Sequence, residues 1–201
     1  MASFKELKSA IESVADDDFD LDVYLNNIKT YIKYVYNRTN KATTLDDILL
    51  NTIINDHSDE FEISKRIKQL QMKVGDIWQE VIGTFSEFKT LHTGHKTGLD
   101  IISHKRKVII ELKNRYNTDN ASARKANYDK LSKYKLKHPD FRCIYGIINE
   151  NSKNGKHFII NHNNIDIEYY SGNKFLKFIF GKHKKKIIEE VQNYISLLFI
   201  L

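Results

Sequence analysis

The stretch Gly98–Arg115, GLDIISHKRKVIIELKNR, decides how the chain folds. Leu99, Ile101 and Ile102 form a short apolar run, Ser103 to Lys107 is polar enough to turn, and Val108 to Leu112 is a mostly β-branched run long enough for a buried strand. The pattern predicts a tight β-hairpin. Side chains alternate across a strand, so Glu111 and Lys113 share one face while Val108, Ile110 and Leu112 point the other way into a core. Asp100, on the partner strand, reaches the polar face.

Two carboxylates and a lysine placed in this way suit a divalent metal beside a phosphate. Mg²⁺ is a hard ion that takes oxygen ligands and is commonly held by one or two carboxylates with water and substrate oxygens. Asp100 and Glu111 are the candidate ligands, the Leu112 carbonyl completes the shell, and Lys113 is the candidate for orienting a water and offsetting negative charge. Glu111 closes a hydrophobic strand, an expensive place for an isolated charge. A metal and a lysine explain its position.

The spacing alone is weak, because 29% of the residues are charged. Asp76, Glu87 and Lys89 nearly repeat it. Asp76, however, lies in KVGDIWQEVIG, where Val74, Ile77, Trp78, Val81 and Ile82 recur with helical period, so it has no strand to pair with. Glu6 and Lys8 form a third such pair with no aspartate ahead of them. His92 and His95 lack the further ligands of a zinc set. His162, Asn163 and Asn164 resemble an HNH nuclease motif only superficially, since the second histidine is absent.

The predicted order is helix (72–83), strand (about 85–91), hairpin (about 98–114), helix (about 120–137) and strand (141–149). This order resembles the core of the PD-(D/E)XK nuclease superfamily. More narrowly, GDIWQEVIG, TGLDII and IELKNRYNTDNASARKANYDKL are similar to small type II restriction endonucleases that cut GGNCC-like sites. The resemblance covers about residues 70–150 and is most specific from Glu111 to Leu131. Leu99 stands where the motif has proline. The resemblance implies an α/β restriction-endonuclease-like core, a central mixed sheet flanked by helices, and Mg²⁺-dependent hydrolysis of double-stranded DNA leaving 5′-phosphate ends. It assigns Asp100 and Glu111 as ligands and Lys113 beside the attacking water. It also brings Glu80, on the first core helix, to the site by its place. A solvent-facing glutamate on an amphipathic helix is the competing reading of Glu80.

Charge is unevenly distributed along the chain. Residues 1–62 carry 6 Lys and Arg against 13 Asp and Glu, whereas the remainder carries 26 against 13. Every candidate catalytic residue lies in the basic part, whose field attracts a polyanion. The N-terminal part, about residues 1–65, reads as acidic helices: Phe4, Leu7, Ile11 and Val14, then Leu21, Leu25, Ile28, Ile32 and Val35, then Leu45, Ile48, Leu49 and Ile53. DDDFDLD caps the second of these. They are expected to pack on the nuclease core, residues 66–201, or to form a dimer interface. A homodimer would match two identical sites to the two strands of a near-palindromic target.

After the hairpin, NTDNASARKANYDKLSKYKLKH is rich in hydrogen-bonding groups and then turns helical up to Pro139, with Asn120 or Ser122 as cap and Ala126, Leu131 and Tyr134 facing the core. A helix N-terminus beside the metal site is a phosphate contact. Asn114, Arg115, Asn117, Asn120, Ser122, Arg124 and Lys125 are therefore the candidate DNA-binding residues. Three strands, KHFIINH, NIDIEYY and KFLKFIF, and a helix from about Lys185 to Ile200 are expected to follow, with Lys182–Lys186 as a further backbone contact. Cys143, in FRCIYGII, reads as a buried structural thiol. No signal core or bilayer-length apolar run is evident, which points to the cytoplasm. The reading is a type II restriction endonuclease with a cognate DNA methyltransferase as functional partner. The alternatives are a structure-specific or repair nuclease on the same fold, and a catalytically inactive DNA-binding protein.

Overall fold

A computed structural model describes residues 19–37, 58–92, 94–117 and 119–199. The first and third N-terminal helices expected from sequence, around Phe4–Val14 and Leu45–Ile53, lie outside the described residues. The described chain runs α1 (Leu21–Asn37), α2 (Ser58–Gly83), β1 (Lys89–Thr90), β2 (Ile101–Ser103), β3 (Val108–Arg115), α3 (Ala121–Lys137), β4 (Arg142–Asn149), β5 (His157–His162), β6 (Ile165–Ser171), α4 (Gly172–Phe180), a 3₁₀ turn (Gly181–His183) and α5 (Lys184–Phe199).

Six strands form one mixed sheet in the order β1-β2-β3-β4-β6-β5. The hairpin is present, with Ile101 opposite Ile110 and Ser103 opposite Val108. β3 and β4 are parallel, in register from Val108 beside Arg142 to Arg115 beside Asn149. Parallel neighbours need a crossover, and α3 supplies it. The C-terminal ends of β3 and β4 and the start of α3 consequently lie at one edge of the sheet. The expected α/β architecture is the observed one.

Each face of the sheet is covered. Val108 and Ile110 join Ile144 and Ile148 under α1, α2, α4 and α5, with Ile28, Ile32, Ile77, Val81 and Phe175 among the buried partners. On the other face Ile109, Cys143, Tyr145 and Ile147 pack with Leu131 and Tyr134 of α3. Cys143 is buried as expected, and burial pushes its thiol up to about 11. α1 follows its apolar stripe, and Asp20 caps it, its Oδ1 accepting from the Asp22 and Val23 amides at 2.8 and 3.1 Å. The Tyr24 hydroxyl then ties α1 to the Val81 carbonyl at 2.5 Å, and Lys186 of α5 pairs with Asp22 at 2.8 Å.

Three local expectations are corrected. The segment KFLKFIF is helix α4 and not a strand: its buried residues are Phe175, Leu176, Ile179 and Phe180, a spacing of one, four and five that only a helix places on one side. A seven-residue apolar run does not by itself distinguish the two. Gly172 at φ 54° turns the chain out of β6, and Gly181 at φ 52° ends the helix. The strand expected at 85–91 contracts to Lys89–Thr90, because turns bonded from Phe85 to Ile82 and from Phe88 to Phe85 precede it, burying both phenylalanines. Ala126 is exposed, and the polar Asn127 takes the buried position on α3.

The close fit of α4 on β4 rests on Gly146, where an added Cβ would come within 2.6 Å of the fully buried Phe175 ring. Gly146→Ala should therefore destabilise the fold by roughly 1–3 kcal/mol, read as a fall in thermal midpoint of about 2–4 °C per kcal/mol. Combining it with Phe175→Leu should recover part of the loss. An unchanged midpoint in the single variant would contradict this packing.

Candidate active site

Two neighbouring strands and one helix build the site. Asp100 immediately precedes β2; its amide donates to the Ile110 carbonyl at 3.1 Å and its carbonyl accepts from the Leu91 amide at 2.6 Å. Backbone pairing on both sides fixes its Cα. Its Oδ2 accepts from the Leu112 amide at 2.7 Å, so the carboxylate is held across the hairpin onto β3. Glu111 follows Ile109 on the α3 face of the sheet and is only 3% exposed. Lys113, two residues on, points the same way and donates from Nζ to Glu111 Oε1 at 2.9 Å.

α3 closes the arrangement with groups that were not singled out in the sequence. Lys130 Nζ lies 3.9 Å from Glu111 Oε2 and donates to Asn127 Oδ1 at 3.0 Å. Asn127 Nδ2 in turn donates to Asp119 Oδ2 at 2.7 Å, the Tyr145 hydroxyl donates to the same oxygen at 2.7 Å, and Asp119 Oδ1 lies 3.7 Å from Lys113 Nζ. The result is a closed ring of charged and polar groups: Glu111, Lys113, Asp119, Asn127 and Lys130. Asp119 sits in a block rich in turn formers, which hid it. A buried asparagine on a core-facing helical position was the available signal.

Electrostatics follow from this geometry. Burial, reinforced by the neighbouring Glu111 charge, pushes Asp100 up to about 6, although the Leu112 amide, Lys113 and Lys130 pull the other way. For Lys113, burial alone would favour the neutral amine. The hydrogen bond that Lys113 donates to Glu111 and the charges of Glu111, Asp119 and Asp100 outweigh it and hold the ammonium above its ordinary range.

The donor set suits a hard divalent cation. Glu111 Oε2 is buried and has no hydrogen-bond partner, with Lys130 Nζ at 3.9 Å too far to donate to it. With Asp100, whose Oδ2 accepts from the Leu112 amide, the side-chain donors are all oxygen, as Mg²⁺ requires. Among the described residues no three His, Cys, Asp or Glu side chains are grouped to hold a metal, so protein would supply two carboxylates and water or substrate the rest. Glu80 is buried on α2, yet is not gathered with Asp100 and Glu111 into such a group.

The alternative triad is dispersed. Asp76 is exposed on α2, while Glu87 is taken up by Lys105 at 3.1 Å and Arg106 at 2.8 Å in the hairpin turn. His95 bonds Thr97, and His162 bonds Asp129 at 2.7 Å.

The candidate DNA-binding residues divide into two kinds. Asn114 is engaged between elements, accepting from Asn149 Nδ2 at 2.8 Å and donating to the Gln71 carbonyl at 3.4 Å. Asn120 caps α3, its Oδ1 accepting from the Ala123 amide at 2.8 Å. Arg115, Asn117, Ser122, Arg124 and Lys125 are exposed at the end of β3 and the first turns of α3. Arg124 also donates to the Asp119 carbonyl at 3.2 Å, and Lys125 pairs with Asp129.

Because Asp100 keeps its proton to a higher pH in the folded chain than in the unfolded one, it opposes folding increasingly as pH rises from about 4 to about 6. In metal-free protein Asp100→Asn should raise the thermal midpoint at pH 8 by a few degrees, about 2–4 °C per kcal/mol. The gain should vanish near pH 4. Equal midpoints for variant and parent at pH 8 would contradict the raised value.

Comparison with known proteins identifies a family. Residues 5–196 match the Eco47II restriction endonuclease family. No curated relative matches the chain. Among the described residues no helix is long and apolar enough to cross a membrane. The match spans nearly all of the 201 residues and includes every group in the ring around Glu111, and on it the chain belongs to the Eco47II restriction endonuclease family, as a site-specific deoxyribonuclease.

Proposed function

We propose that the protein is a Mg²⁺-dependent type II restriction endonuclease of the PD-(D/E)XK kind, with Asp100, Glu111 and Lys113 as its catalytic residues. The observation that carries the reading is the buried Glu111 oxygen without a partner, set beside Asp100 and flanked by two lysines. Asp100, Glu111 and the Leu112 carbonyl would hold the ion. When bound, Mg²⁺ supplies neutralising charge at the phosphoryl group and makes a nearby water easier to deprotonate.

The protein's own groups do the remaining work. Lys113, kept protonated by Glu111 and Asp119, offers a donor and a positive charge where negative charge develops on the phosphoryl oxygens. Asp119 and Tyr145 restrain that ammonium by fixing the far side of the ring. Glu80 we assign as an auxiliary carboxylate that acts once DNA is bound. Water attacks phosphorus and the 3′ oxygen leaves, giving 5′-phosphate ends.

Arg115, Asn117, Arg124 and Lys125 present donors beside the scissile position, with Ser122 at the exposed start of α3. Asn114 and Asn120 shape that surface by their structural bonds. A GGNCC-like target, a homodimer and a cognate methyltransferase complete the reading. Two copies would present identical sites to the two strands of a symmetric target.

Incubation of plasmid DNA with the protein and Mg²⁺, followed by sequencing of fragment ends, tests this directly. Discrete bands with one recurring terminal sequence are expected, and a smear would refute a restriction activity. Glu111→Ala, Asp100→Ala and Lys113→Ala should each lower the cleavage rate by at least about a hundredfold. Glu87→Ala should leave it within about threefold, since that side chain serves only the Lys105 and Arg106 pairs. Full activity in the Glu111 variant would remove the site assignment.

A further inference from the structure

A cavity of about 750 Å³ opens between α3 and the segment joining β1 to β2. Four lysines line it, Lys96, Lys130, Lys133 and Lys137, together with the imidazoles of His95, His104 and His138. No carboxylate is among its lining residues. Its floor is apolar, made by Leu91, Ile102 and Tyr134.

Most lysines near this region are already engaged. Lys125 pairs with Asp129, Lys107 with Asp140, and Lys135 donates to the Pro139 and Phe141 carbonyls. Lys96, Lys133 and Lys137 have no carboxylate within ion-pair distance among the described residues. Two uncompensated ammonium groups on the α3 wall and a third on the facing segment repel each other and gain when an anion enters.

The cavity adjoins the candidate carboxylates through one shared residue, Lys130. Lys130 borders both: its stem lies where a Cβ on Gly98 would touch it at 3.6 Å, and its Nζ is 3.9 Å from Glu111 Oε2. From Lys130, the helix carries Lys133 and Lys137 on the same side, a distance of about 10 Å at 1.5 Å per residue. One DNA strand presents a phosphate about every 3.4 Å along the duplex axis. The lysine row therefore spans about three such steps of one strand.

We propose that this cleft is the track for the DNA backbone leading away from the cleaved bond, with Lys133, Lys137 and Lys96 as its phosphate contacts. The proposal rests on the nuclease reading of the neighbouring carboxylates. It adds a second, sequence-independent surface to the exposed donors at the start of α3. Phosphate contacts fix register and orientation on the duplex without reading bases. The apolar floor adds nothing specific to a phosphate and instead lowers the local dielectric, which strengthens the lysine field.

The test is binding of a labelled 30-base-pair duplex by fluorescence anisotropy, without divalent metal, across a salt series. Lys133→Ala/Lys137→Ala should weaken binding at 0.1 M salt by at least about tenfold and reduce the slope of log affinity against log salt by about 2. Lys133→Arg/Lys137→Arg should keep parental affinity, which separates charge from folding defects. Lys29→Ala/Lys33→Ala, two exposed lysines of α1, should change neither quantity. A Lys133/Lys137 alanine variant with parental affinity and slope would overturn the track, as would a parent that does not bind duplex DNA. Mg²⁺-dependent cleavage of the same duplex is read separately. A parent that binds but never cleaves would sink the nuclease reading and leave the track standing.

Discussion

A carboxylate buried in the middle of a sheet is the constraint around which the rest of this structure is arranged. Glu111 lies on β3 with cores on both sides of its strand, where an uncompensated charge is costly. Lys113 satisfies one oxygen, Lys130 approaches the other from α3, and Asp119 and Asn127 connect the two lysines. The second oxygen is still without a hydrogen-bond partner. On the proposed reading a divalent cation would satisfy it and be shared with the Asp100 carboxylate, which is tied to the Leu112 amide.

The topology delivers these groups to one edge. Parallel pairing of β3 with β4 requires a crossover, so α3 must begin where β3 ends. Helix start, strand end and Lys113 thus converge without any long loop. The same crossover lays the Lys130, Lys133 and Lys137 row along the cleft, which joins the site chemistry to a surface for a polyanion. α1, on the opposite face, contributes packing through Ile28 and Ile32 and an ion pair to α5.

Helical periodicity made α1 legible, apolar runs bounded by turns did the same for the hairpin and β4, and α3 was legible from its cap at Asn120 and the proline beyond its end. The site was legible to the same extent: Asp100, Glu111 and Lys113 meet because alternation on a strand is unambiguous. The segment KFLKFIF was not, because seven residues fit either period and only packing against β4 decides. Asp119, Tyr145 and Lys130 were also missed, since their role comes from tertiary contacts between residues 8 to 26 apart and leaves no local pattern. Asn114 and Asn120 show the converse, being chemically suited to bases yet largely occupied by an inter-element bond and a helix cap.

The central claim is that Asp100 and Glu111 form a divalent-cation site. Titration of the purified protein with Mn²⁺ as a paramagnetic stand-in for Mg²⁺, read by electron paramagnetic resonance at pH 8, measures it without DNA and without turnover. The account predicts saturable binding to the parent chain that is lost in Glu111→Gln, a variant that keeps the side-chain volume and removes the charge. Binding of undiminished affinity in that variant would contradict it.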